Sequence, residues 1–159
     1  MPETLEVVVG RLLAQRGLTV GTAESCTGGL IGHRLTDVPG SSEYFLGGII
    51  AYSNEIKERV LGVNHATLET HGAVSAETAL EMAYGARRVL GVDIAVSVTG
   101  IAGPGGGSAD KPVGLVYICL SARNLERVEK FAWNKDRAGN KWESSEAVLQ
   151  MLRDYLAAL

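Results

Sequence analysis

The 159-residue chain is 46% hydrophobic and 21% charged, with 15 Lys and Arg against 18 Asp and Glu for a formal net charge of −3. This composition excludes a disordered chain and argues against a nucleic-acid-binding module, which carries a basic stripe. Twenty residues are glycine, nearly twice the usual share of about 7%; without a G-X-Y period they mark tight turns or close backbone approach, not collagen.

Leu5, Val8, Val9, Leu12 and Leu13 share one helical face, with Pro2 suited to a first turn and Gly17 to the stop. Glu3 and Glu6 interrupt residues 1–15 and argue against a signal peptide. A short strand is expected over residues 18–23 and a helix over 27–35, followed by a turn at Pro39-Gly40 and a strand over 48–52. Asn54 is the expected cap of a helix that ends at Leu61 and Gly62, and Asn64 of a short helix ending near Gly72. Ser75 caps the clearest helix, with Ala79, Met82, Ala83, Ala86, Val89 and Leu90 as its apolar stripe and Gly91 as its stop. Residues 94–98 read as a strand and 100–112 as a glycine-rich loop. Residues 115–120 and 126–133 form a hairpin around Arg123-Asn124. Val148, Leu152, Tyr155, Leu156 and Leu159 mark a last helix, whose start is obscured by Gly139 and Asn140.

Strands alternating with helices, then a hairpin and a closing helix, give an α/β fold: a three-layer α/β/α sandwich with a mixed β-sheet, one domain over residues 1–159. No apolar run approaches the roughly 18 residues of a membrane span. Cys26 and Cys119 read as reduced thiols of a cytoplasmic protein.

In such sheets, ligands bind beyond the carboxyl ends of the parallel strands. Three segments follow the expected strands: Glu-Ser-Cys-Thr-Gly-Gly at 24–29, Tyr-Ser-Asn at 52–54 and Thr-Gly-Ile-Ala-Gly at 99–103. Their hydroxyls, amides and glycines suit one shared site. Ser25 stands at a strand-to-helix turn, as in a nucleophile elbow, where free N–H groups suit an oxyanion; the competing reading makes Ser25 or Thr27 a helix cap. Cys26 is the rival nucleophile, without a histidine expected nearby. His33, His65 and His71 read as surface residues. Lys57, third in a helix capped by Asn54, opposes the helix dipole, which disfavours its charged form. A lysine that loses its proton near neutrality serves as a base; an exposed lysine is the bland alternative. The loop from Gly100 to Gly107 is neither a dinucleotide nor a Walker A motif, but its backbone suits close approach to a phosphate, and Arg137 beside Asp136 suits a phosphate fork.

These segments have the order and spacing of a known family. Ala-Glu-Ser-Cys-Thr-Gly-Gly at 23–29, Pro-Gly-Ser-Ser at 39–42, Gly-Gly-Ile-Ile-Ala-Tyr-Ser-Asn at 47–54 with Lys57, Gly-Ala-Val-Ser at 72–75 and Val-Thr-Gly-Ile-Ala-Gly-Pro-Gly-Gly at 98–106 resemble the C-terminal domain family of the competence/damage-inducible protein CinA. Its stand-alone members are PncC-type nicotinamide-nucleotide amidases. The resemblance covers nearly the whole chain and implies hydrolysis of the carboxamide of nicotinamide mononucleotide (NMN) to nicotinate mononucleotide and ammonia. It implies a catalytic set of Ser25, Tyr52 and Lys57, leaving open whether Tyr52 or Lys57 is the immediate base. Cys26, Thr27, Gly28 and Gly29 would surround the oxyanion, and Thr99, Gly100, Gly103, Gly105 and Arg137 the ribose phosphate, with Ser42 and Asn54 as secondary polar contacts. No cofactor or metal is implied; the partner is a small-molecule nucleotide, not nucleic acid or a membrane, and a homodimer is compatible. The family's Gly-Asp-Arg before the last helix stands here as Lys135-Asp136-Arg137. The alternative function is a non-catalytic nucleotide-binding or regulatory module of the competence/damage-inducible type.

Overall fold

The structure is a computed structural model that describes residues 2–159; Met1 lies outside the described residues. Its centre is the strand β3 (Ile94–Gly100), in which every residue but the last is buried. Ile94, Val96 and Val98 point into one apolar cluster and Ala95 into another on the opposite face. A strand covered on both faces needs no polar side, which explains its continuous apolar reading. Its two hydroxyls are satisfied internally: Ser97 Oγ donates to the Ala79 carbonyl at 2.6 Å and Thr99 Oγ1 to the Ala73 carbonyl at 2.7 Å.

Four strands flank it: β1 (Val20–Glu24), β2 (Phe45–Ile50), β4 (Leu115–Ala122) and β5 (Leu125–Ala132). The sheet order is β2-β1-β3-β4-β5. The first three strands are parallel; β4 runs antiparallel to β3, and β5 antiparallel to β4. The helices α1 (Leu5–Arg16), α2 (Leu30–Thr36) and α6 (Arg137–Ala157) cover one face through Val9, Leu13, Ile31, Leu35, Leu149 and Leu152. The helices α3 (Asn54–Leu61), α4 (His65–His71) and α5 (Ala76–Leu90) cover the other through Leu61, Leu68, Met82 and Ala86. Each fully buried Leu or Ile stabilises the fold by about 1.5–3 kcal/mol. The expected three-layer mixed sheet is therefore the observed one.

Several boundaries differ from expectation. Pro2 precedes α1, whose N-cap is Thr4. β1 starts at Val20, not residue 18. β2 starts at Phe45, because Gly47 and Gly48 hide the strand from a reading based on apolar alternation. α2 begins only at Leu30, since Gly28 and Gly29 have φ of 60° and 103°, which a right-handed helix cannot contain. Asn54 is not a cap: Ser53 Oγ accepts the Ile56 N–H at 3.2 Å and takes that role. Gly139 and Asn140 lie inside α6, which Asp136 caps through the Gly139 N–H at 2.8 Å. Val89 and Leu159 are exposed, outside the apolar stripes to which they were assigned.

Two tertiary contacts fix the helices. Gly85 of α5 lies so close to the Leu61 carbonyl at the end of α3 that a Cβ would overlap the backbone. On the other face, buried Arg34 of α2 donates to Glu6 of α1 at 2.7 Å, to Glu146 of α6 at 2.5 Å and to Ser145 Oγ at 2.8 Å. Its guanidinium also stacks on Trp142 at 4.1 Å. Burial raises the Glu6 pKa, but the Glu6 backbone and Arg34 outweigh it and hold the carboxyl below its ordinary value.

Replacing Arg34 with Ala leaves Glu6 without its cation and should cost about 3 kcal/mol in urea unfolding. The Glu6 contribution is fully present above the ordinary carboxylate pKa and lost as pH falls through the lowered folded value. The variant should therefore show a shallower loss of stability on acidification than the wild type; parallel acid titrations would refute this account.

Candidate active site

The site forms where β1 and β2 end. Ser25 directly follows β1, and both ladders continue to its edge: the Glu24 carbonyl accepts the Ala51 N–H at 2.8 Å, and the Ser25 N–H donates to the Val98 carbonyl at 3.0 Å. The chain then turns through Gly28 and Gly29 into α2, which has no side-chain cap of its own. Glu24, 1% exposed, supplies the missing acceptor. Its Oε1 accepts the Ile31 N–H at 2.9 Å and the Thr27 hydroxyl at 2.7 Å, and its Oε2 accepts the Gly32 N–H at 2.9 Å. A carboxylate at a helix N-terminus is favoured by the dipole. Glu24 thus clamps the turn that presents Ser25, a role the sequence reading missed. Among the described residues, the N–H groups of Cys26, Thr27 and Gly29 take no protein acceptor.

Lys57 arrives from α3, on the opposite face of the sheet. With Ser53 as cap it is the fourth helical residue, and its side chain runs inward to 1% exposure. Its Nζ lies 3.0 Å from Ser25 Oγ and 3.0 Å from the Tyr52 carbonyl oxygen. Burial lowers its pKa from 10.5 to about 8, against a small opposing effect of Cys26. The amine is therefore neutral in an appreciable fraction of molecules near neutrality, and a neutral amine accepts the Ser25 hydroxyl proton. The Cys26 thiol moves the other way: burial pushes its pKa up to about 12, which disfavours the thiolate.

Tyr52 is placed differently from Lys57. Its carbonyl holds the amine, but its ring is 60% exposed and its phenol oxygen accepts from Arg137 at 3.2 Å. Arg137 also donates to the Gly103 carbonyl at 2.9 Å. Asn140, buried in α6, donates to the Ala102 carbonyl at 3.0 Å and accepts the Lys135 N–H at 2.9 Å, which fastens the start of α6 to the glycine-rich loop.

The remaining expected contacts divide. Gly28 and Gly29 border Ser25 as expected. Thr27 and Thr99 have their hydroxyls turned into the protein, toward Glu24 and Ala73. Gly100 packs on the protein itself: a Cβ there would lie 2.6 Å from Val116 Cγ2. Gly105 is open to solvent. Ser42 is exposed in the short 3₁₀ turn Ser41–Glu43, which precedes β2. It therefore sits at the amino end of the strands, about 17–20 Å from Ser25 along the sheet of the same chain. Asn54 is exposed on the first turn of α3.

The sequence pattern of the family described as CinA C-terminal domain matches residues 2–156. The chain belongs to the CinA C-terminal domain family. A CinA-like protein of Chlorobaculum tepidum is 55% identical over 154 residues, covering 94% of this chain and 36% of that one. The chain thus spans little more than a third of the length of such relatives. The crystal structure of competence/damage inducible protein CihA from Agrobacterium tumefaciens has a TM-score of 0.91 at 43% identity, covering 99% of this chain and 98% of that one. That of competence damage-inducible protein A (ComA) from Klebsiella pneumoniae has a TM-score of 0.93 at 33% identity, covering 96% and 95%.

Two substitutions test this geometry. Lys57→Met should melt higher than the wild type at pH 7, because it removes a buried amine. Well below pH about 8 the amine is charged in the folded and unfolded chains alike, and the burial penalty is complete. Between about 8 and 10.5 only the unfolded chain holds the proton, so wild-type stability climbs with pH and the difference closes. A difference that is constant with pH contradicts the assignment. Glu24→Gln replaces one carboxylate acceptor with a donor and leaves the Ile31 or Gly32 N–H unpaired. It should cost about 1–3 kcal/mol in denaturant unfolding, and no loss would remove the clamp from this account.

Proposed function

We propose that the chain is an amidohydrolase that deamidates NMN to nicotinate mononucleotide and ammonia through an acyl-enzyme on Ser25. The observation that carries the reading is the 3.0 Å contact between the Ser25 hydroxyl and a buried lysine whose pKa is lowered to about 8.

Neutral Lys57 takes the hydroxyl proton as Ser25 Oγ attacks the carboxamide carbon. The oxyanion is received by N–H groups of the Cys26–Gly29 turn, which Glu24 holds in place. Collapse of the tetrahedral intermediate breaks the C–N bond, and the Lys57 ammonium returns its proton to the departing ammonia. Water then attacks the ester, again with Lys57 as base, and releases the carboxylate and Ser25. Lys57 is the base in this scheme because its side chain reaches Ser25; the Tyr52 carbonyl orients the amine, and the Tyr52 phenol stands at the rim with Arg137.

Ser25→Ala should reduce ammonia release from NMN by at least about a thousandfold. The wild-type kcat/KM should rise with pH through a limb near 8, as Lys57 loses its proton. Wild-type protein that binds the nucleotide without turnover would favour the non-catalytic module, in which Ser25 serves only the turn.

A further inference from the structure

The sheet has two edges, β2 and β5. β2 carries no charge and has Gly47 and Gly48 at its middle, so nothing on it fixes a register for a further strand. β5 is eight residues long, and Glu126, Arg127, Glu129 and Lys130 on it are exposed. Among the described residues, none of the four lies within 4 Å of an opposite charge. Lys130 lies over the Tyr117 ring at 5.9 Å.

An open edge is a template for a further strand, and the ladder shows which backbone groups this one offers. The turn at Arg123-Asn124 sets Ala122 opposite Leu125, and the register runs unbroken from there to Leu115 and Ala132. One residue further, the Trp133 N–H donates to the Gly114 carbonyl at 2.8 Å. Along an antiparallel strand the hydrogen-bonded side alternates with period two. Leu125, Arg127, Glu129 and Phe131 therefore turn their backbone groups toward β4, while Glu126, Val128, Lys130 and Ala132 turn theirs outward. Among the described residues, the outward N–H groups take no backbone acceptor.

The side chains then select a register. Charges on an edge usually oppose pairing, and here they oppose every symmetric register but one. A two-fold antiparallel pair centred on any of the four charged residues sets that residue against its own copy, a like-charge contact that destabilises the pair. Read from Glu126 to Lys130, the signs are negative, positive, neutral, negative, positive, and they invert about Val128. A pair centred on Val128 sets Glu126 against the partner's Lys130 and Arg127 against the partner's Glu129. It also sets Leu125 against the partner's Phe131, and it brings outward backbone groups to outward backbone groups. On the face toward α6 there is room for the added strand. An open cleft of about 250 Å³ lies between β5 and α6, and its ionisable lining is four carboxylates and one arginine, Arg127. In this register the partner's Arg127 arrives at that acidic cleft, opposite Glu129.

We propose that β5 is the interface to a second copy of this chain: the two β5 strands pair antiparallel about Val128 and join the two sheets into one. The interface is independent of the amidohydrolase reading.

Sedimentation velocity tests it on the wild type, Glu126→Lys and Lys130→Glu at low salt, at chain concentrations up to about 0.1 mM, where a micromolar dimer is assembled. The wild type should be dimeric. Each reversal turns both symmetric Glu126–Lys130 contacts into like-charge contacts and should weaken the dimer about 10- to 100-fold. An equal mixture of the two variants should recover wild-type association, because the ammonium introduced at position 126 of one chain faces the carboxylate introduced at position 130 of the other. Recovery in the mixture also shows that both variants are folded. If either variant is unstable alone, Arg127→Glu and Glu129→Arg carry the same comparison on the other face of the strand. A monomeric wild type overturns the interface. So does a dimer that the reversals leave intact, which assigns association to another face, such as the β2 edge with its exposed Leu46 and Ile50. Dimer loss in the single variants without recovery in the mixture overturns the pairing about Val128.

Discussion

An amine taken out of water must be met by acceptors, and around Lys57 this requirement organises the site. Ser25 Oγ and the Tyr52 carbonyl receive it at 3.0 Å each. They come from different strands, and the amine itself comes from a helix on the far face of the sheet from α2. The nearby carboxylate is kept away from this pairing. Glu24 commits both oxygens to α2 and Thr27. A Glu24–Lys57 ion pair would hold the amine protonated and raise its pKa. The fold thus places a carboxylate one residue from Ser25 and keeps it from pairing with the Lys57 amine.

The site is assembled from distant parts of the chain in a way that follows from the sheet order. With β1 between β2 and β3, the chain leaves β1 on one face and β2 on the other. The crevice between those departures is where Ser25 and Lys57 meet. α6 then closes the rim, through Arg137 on Tyr52 and Gly103 and through Asn140 on Ala102. The family match spans this whole assembly, from α1 to α6, so the crevice and its rim belong to the same shared unit.

The Ser25–Lys57 pairing was legible because parallel strands bring their following segments together whatever the intervening chain does. The hairpin was legible for a local reason: β4 and β5 are joined by the two residues Arg123 and Asn124, between Ala122 and Leu125. What sequence could not reveal depends on partners far along the chain. Arg34 meets Ser145 and Glu146 more than a hundred residues away, and nothing in its own helix marks it as buried. Glu24 is a partial exception, since a carboxylate just before Thr27 and a glycine turn is a recognisable source of helix-end acceptors. In the glycine loop, Gly100 packs on Val116 while Gly105 stays open, and a glycine that admits a ligand and one that admits the neighbouring strand look the same in sequence. Asn54 was chosen over Ser53 because both are good caps, and one residue decides how far inward Lys57 points.

The contact of Gly85 with the Leu61 carbonyl reaches further than packing. Leu61 is one helical turn beyond Lys57 on α3, so α5 acts as the stop that sets the position of Lys57. Any side chain at Gly85 must tilt or slide α3, and the displacement arrives at the hydrogen bond between Lys57 and Ser25. Misplacement by about 1 Å can cost a hundredfold in rate. The proposed reaction is therefore exposed at a position with no functional group at all, and a variant there can fold, keep Ser25 and Lys57 and still lose their pairing.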